Sequence, residues 1–157
     1  MKIGDHSLGE HIRLLAPLFV LIAGVWLLRI LLHEMSILHP LVHVLSVTVG
    51  TALALLFAVV LIHVRDFGSY PSVIVSTVLL VAWEQILIIV AIVFAVLTGT
   101  ENIFTLPEFS PGNDPRHIKH ILGHLTVVLG VGTLIGSAFG CLILWMLRRM
   151  IPEPDRT

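Results

Sequence analysis

Four long apolar runs constrain this chain more than any other feature. ILIIVAIVFAVL (86–97) and LLAPLFVLIAGVWLL (14–28) show their character: continuous, with no polar alternation. The chain has 157 residues, of which 57% are hydrophobic and 12% charged, with a mean hydropathy of +1.02. A soluble domain of this size has too much surface for its volume to hide so much apolar material. A bilayer accepts it directly, at roughly 20 apolar residues per helical span. A barrel strand would alternate apolar and polar residues over about ten positions. A helix satisfies its own backbone hydrogen bonds within one segment. The expected fold is therefore all-α: a single-domain integral membrane four-helix bundle with spans near 14–35, 41–64, 71–98 and 118–150.

The N-terminal leader MKIGDHSLGEHIR carries acids and histidines and no small-residue cleavage site follows it, so helix 1 is expected to persist. Cys141 is the sole cysteine, which excludes an intrachain disulfide. The net charge of −1 gives no reason to expect a nucleic-acid partner. Lys2, Arg13, Arg65, Arg148, Arg149 and Arg156 fall at the end holding both termini, against Arg116 and Lys119 at the other. That bias predicts cytoplasmic termini, in a prokaryotic inner membrane. RDFGSYP (65–71) reads as a tight hairpin, with Pro71 in a first helical turn. The longest loop, 99–117, is rich in turn residues, and its Phe104, Leu106 and Phe109 are expected in the interface.

There are nine histidines, and six of them, His33, His39, His43, His117, His120 and His124, fall at the end opposite the termini. His117, His120 and His124 are spaced to share one helical face. Two chemistries use such a set. Zn²⁺ or Cu²⁺ takes imidazoles from one helical turn and a neighbour, which makes His33, His43, His117, His120 and His124 candidate metal ligands. Haem b takes two facing imidazoles and small residues that let the ring approach. His43 with His124, or with His120 as substitute, is the candidate axial pair, with Ser46, Gly50, Ala54 and Ala58 as the small face. Arg29 would hold a propionate. The plain alternatives are interfacial histidines and an ordinary small-residue packing face.

VAWEQILII (81–89) sets Glu84 and Gln85 in mid-helix. A charged carboxylate at that depth costs about 2.5 kcal/mol or more, so Glu84 is a functional candidate. It would either clasp Arg29 or serve as a proton-responsive group in a quinone pocket with Trp26 and Trp83. Gly132, Gly136 and Gly140 recur every fourth residue on a face turned away from His120, which suits close packing within the chain or between copies. No nucleotide-loop, zincin or nucleophile-elbow motif is present, which argues against a self-contained enzyme. The sequence thus points to a haem- or metal-binding accessory or electron-transfer subunit. A cofactor-free scaffold that binds other membrane subunits and a metal or proton sensor or conduit are the alternatives.

Overall fold

A computed structural model describes residues 2–3, 6–35, 46–106, 114 and 117–150. Four helices are long and apolar enough to cross a membrane. They are α1 (Leu8–Glu34), α2 (Val47–Val64), α3 (Tyr70–Thr98) and α4 (Ile118–Met150). Antiparallel β1 (Lys2–Ile3) and β2 (His6–Ser7) precede them, with Lys2 opposite Ser7. The helices alternate in direction. The hairpin end carries the α1 start, the α2–α3 turn and the α4 finish; the loop end carries the rest.

α2 and α3 form the central pair, and α1 and α4 pack against both from opposite sides. The pattern on α3 explains this. Val73, Thr77, Val81 and Gln85 are buried at steps of four, and Ser72, Ser76, Leu80, Glu84 and Ile88 form a second buried row beside them. Two adjacent stripes let one helix face neighbours on two sides. Outward residues such as Val20, Phe94, Leu97 and Leu134 are large and exposed, as a lipid solvent requires.

α1 begins six residues before the expected span. Ser7 explains the difference: Glu10 N donates to Ser7 Oγ at 3.3 Å, and Ser7 N donates to Glu10 Oε2 at 2.6 Å. This capping box starts the helix where its polar first turn suits a headgroup region. The hairpin turns through Asp66 and Gly68, both left-handed, and a Cβ on Gly68 would overlap the Ser72 hydroxyl. Arg148 Nη2 of α4 donates to Gly68 O at 3.0 Å, which ties the last helix to this turn. Gly99, at φ 67°, ends α3 in the left-handed conformation that a helix stop favours.

The loop after α3 departs from its interfacial expectation. Phe104 is buried, with Leu106 packed partly against the core; Phe109 lies outside the described residues. Asn102 is the reason: its Oδ1 accepts from Phe104 N at 2.9 Å, and its Nδ2 donates to Ala91 O at 2.8 Å. The loop is thereby folded back onto α3.

Gly50 of α2 faces Val25 of α1, whose Cγ atoms would sit 3.5 Å from an added Cβ. At that position the small face of α2 admits helix 1, not the edge of a macrocycle. The α4 glycines meet α3: added Cβ atoms at Gly132, Gly136 and Gly140 would lie 3.5 Å from Val81, 2.8 Å from Thr77 and 2.7 Å from Val73. This stripe is therefore used inside the chain.

Candidate functional site

The site is built where a π turn interrupts α4. His124–Val128 is π-helical, between α-helical Ile118–Gly123 and Leu129–Met150. In a straight α-helix at ~100° per residue, Gly132 would lie about 120° around from His120, which is why a glycine face turned away from the histidines is the expectation. A π turn inserts extra chain and rotates everything before it relative to everything after it. The result is that His124 and the glycine stripe both face α3. Thr126 accompanies the turn, its hydroxyl donating to Leu122 O at 2.7 Å, where a π turn disturbs the carbonyl ladder. Asp114 holds the helix start: its Oδ2 accepts from Lys119 N at 2.5 Å and from His120 N at 3.3 Å.

His124 Nδ1 lies 2.6 Å from Gln85 Oε1, and its Nε2 lies 3.0 Å from His120 Nε2. Gln85 is 2% exposed, and its Nε2 has no hydrogen-bond partner among the described residues. His120 Nδ1 is buried and equally without one. Beside Gln85, Glu84 Oε1 accepts from Thr48 Oγ1 of α2 at 2.7 Å.

Glu84 and Gln85 border a cavity of about 680 Å³ enclosed by α2, α3 and α4. Its polar lining is Thr48, Thr51, Thr77, Glu84 and Gln85; the rest is apolar, from Leu55 and Leu80 to Val131, Ile135 and Phe139. Along α4 the lining runs from Val127 to Ile143, about 24 Å at ~1.5 Å per residue. Val127, Val131, Ile135 and Phe139 also belong to the exposed surface, so the cavity opens sideways, where acyl chains would lie. Gly132 and Gly136 line it, and their missing side chains widen it.

The expected site residues divide. His117, His120 and His124 do share a face: ring centroids lie 6.3 Å apart for the first pair and 4.8 Å for the second. His33 is half-buried on α1, and His39 and His43 lie outside the described residues. Among the described residues no group of three or more His, Cys, Asp or Glu is placed to hold a metal ion. The pairing of His43 with His124 as axial ligands cannot be drawn without His43. In the described geometry both ring nitrogens of His124 are engaged, one at Gln85 and the other at His120.

Arg29 is buried on α1 with its guanidinium 5.2 Å from the centre of the Phe104 ring. Among the described residues it forms no ion pair with Glu84, whose partner is Thr48. Trp83 serves another seam, its Nε1 donating to Phe19 O at 3.1 Å, and neither Trp26 nor Trp83 lines the cavity. Thr48, Thr51 and Asp114 were not singled out from the sequence. Threonines three apart at the start of an apolar run were the available signal for the first two.

No protein-family model, curated protein sequence or solved structure matches this chain.

Proposed function

We propose that this small polytopic membrane protein binds a neutral, elongated, lipid-soluble molecule of the quinone class. Its head sits at Glu84 and Gln85, and its tail runs along Val131, Ile135 and Phe139. The single observation that carries the reading is Gln85 Nε2, a buried donor without a hydrogen-bond partner among the described residues, on a residue that lines a mostly apolar cavity. A buried donor left unpaired costs about 1–3 kcal/mol, which a ligand carbonyl would recover. The volume falls in the usual range for small-molecule sites, which are mostly apolar with a few convergent polar groups.

The lining selects the head. Among the described residues no Lys, Arg or His lines the cavity, and Glu84 does. A carboxylate or phosphate head would be desolvated beside an acid with no counterion. A neutral carbonyl accepts from the Gln85 amide and from Thr51, and a hydroxyl could donate to Glu84. Lateral opening supplies the ligand from the membrane itself. The role that follows is a quinone-binding subunit rather than a self-contained enzyme. In this proposal the termini lie in the cytoplasm of a prokaryotic cell, beside the basic residues at the hairpin end. Other membrane subunits would dock on surface other than the Gly132, Gly136 and Gly140 stripe, which α3 covers.

The test is a titration of the purified protein in lipid nanodiscs with a decyl-substituted para-benzoquinone, compared with Val131→Trp. Val131 lines the cavity but is 48% exposed, so an indole fits there without breaking the core. Saturable binding to the wild type and at least a tenfold weaker affinity in the variant are expected. Equal, non-saturating partition into both would overturn the reading.

A further inference from the structure

A second depression, of about 260 Å³, lies at the hairpin end and shares no residue with the cavity. Glu10, Arg13 and Leu14 of α1 line it together with Arg65 and Phe67 of the α2–α3 turn. Two exposed guanidiniums from separate elements thus border one space. Neither has an ion-pair or hydrogen-bond partner among the described residues. Like charges on one lining repel unless an anion lies between them. Glu10 does not fill that role. Its Oε2 accepts from Ser7 N at 2.6 Å and from Ser7 Oγ at 2.7 Å. Its Oε1 has only His6 Nδ1 near it, at 3.8 Å, and keeps acceptor capacity at the rim.

The walls are held in place without a ligand. Arg65 N donates to Leu61 O at 3.0 Å and Phe67 N to Ile62 O at 2.9 Å, which fixes the turn. The Phe67 ring is held by His6 and His11. Depth selects the kind of anion. Arg13 immediately precedes the apolar run that starts at Leu14, and Arg65 immediately follows the last residue of α2. Both therefore lie where the hydrocarbon gives way to headgroups, the level of lipid phosphates. Apolar surface continues inward from each. Pro17 and Leu21 follow Arg13 at steps of four and are exposed; on α2, Val64 and Val60 are exposed too.

We propose that this depression is a binding site for an ethanolamine phospholipid, with Arg13 and Arg65 on the phosphate and Glu10 on the ammonium. A guanidinium presents planar N–H donors that match phosphate oxygens, and two of them can share one phosphate. The acid among them sets the rest of the head. A carboxylate repels a head with further negative charge, and it accepts hydrogen bonds from an ammonium. A choline head has the same net charge but no N–H to give. Leu14 and Phe67 would pack against the glycerol end, with the acyl chains on the exposed faces below. The site is independent of the quinone-class reading.

The experiment is native mass spectrometry of the full chain, released from micelles containing equal amounts of ethanolamine and choline phospholipids. The wild type should retain one ethanolamine lipid in clear preference to choline. Arg13→Gln with Arg65→Gln should weaken that retention roughly tenfold or more, since each basic group near a phosphate contributes substantially. Arg149→Gln, which removes a charge at the same end but outside the depression, should leave it unchanged. Glu10→Gln keeps the capping box, which accepts either residue at that position. It should bring the ethanolamine-to-choline ratio to about one. Equal retention of both lipids by the wild type, or equal loss in Arg149→Gln, would overturn the site. Retained preference in Glu10→Gln would overturn the ethanolamine assignment. Full displacement of the lipid by inorganic phosphate would assign the arginines to a free anion and overturn the lipid as its source.

Discussion

The two ends of the bundle each carry a close pair of histidines and use them differently. At the hairpin end, His6 stacks on Phe67 with centroids 3.8 Å apart, and His11 meets the same ring edge-on at 5.1 Å. His11 Nδ1 donates to Ser7 O at 2.9 Å, four residues back along the chain. These rings fasten the leader to the turn. Towards the loop end, His124 reaches across to another helix, to a glutamine 39 positions away in sequence, beside a cavity. The lesson is that residue type and spacing do not assign a role to a membrane histidine. The partner does, and the partner comes from the tertiary fold.

Four substitutions would break or sharpen this contrast. The largest effect is expected at Gly140→Leu. Even a Cβ there would sit 2.7 Å from Val73 Cγ1, so overpacking should cost about 3 kcal/mol, read as a lower midpoint of detergent unfolding. Because α4 carries both its tie to the hairpin and His124, the two ends should fail together; independent loss would show that they are separate units. Phe67→Ala should cost about 2 kcal/mol, since it removes a half-buried ring with two ring partners. Ligand affinity should be unchanged, and a change would mean that the hairpin end feeds the cavity. Ser7→Ala dissolves the capping box and should cost about 1 kcal/mol, with hydrogen exchange rising only in the first turn of α1. Thr48→Val removes the donor to Glu84 and should cost about 0.6 kcal/mol, a usual worth for a side-chain hydrogen bond in a bilayer. Its mark would be altered ligand affinity, in contrast to Ser7→Ala.

Much of the fold was legible because the bilayer sets so few options. Length and hydropathy alone give four helices; all four end within a residue of their expected limits, and α3 and α4 also begin there, while α1 begins six residues early and α2 six residues late. The start of α1 was missed although SLGE at 7–10 states a capping box outright. Hydropathy marks where the apolar run starts, whereas the capping box lies in the polar turn before it. The π turn was not legible at all. HLTVV has nothing that forbids an α-helix, and the extra chain is stored there because Asp114 fixes one end of the helix while the glycine stripe fixes the other against α3. For the site, Glu84 and Gln85 stood out as polar groups at depth, and the histidine face was correct for His117, His120 and His124. The Arg29 clasp and the tryptophan-walled pocket failed for a common reason. Sequence gives depth along a helix, but the rotation that decides which neighbour a side chain meets is set by packing. Trp83 faces α1, and Arg29 is drawn to Phe104 by a loop that Asn102 folds back.

The central claim is that a lipid-soluble ring occupies the cleft with its head at Gln85. Photolabelling tests it most directly: an azido-substituted para-benzoquinone is irradiated with the protein in nanodiscs and the adducts are mapped by peptide mass spectrometry. Adducts concentrated on the peptides of α3 around Gln85 and of α4 around Val128 and Val131, and suppressed by excess unlabelled quinone, are the expected result. Adducts spread over the lipid-facing residues Val20, Phe94 and Leu134, with no suppression, would contradict it.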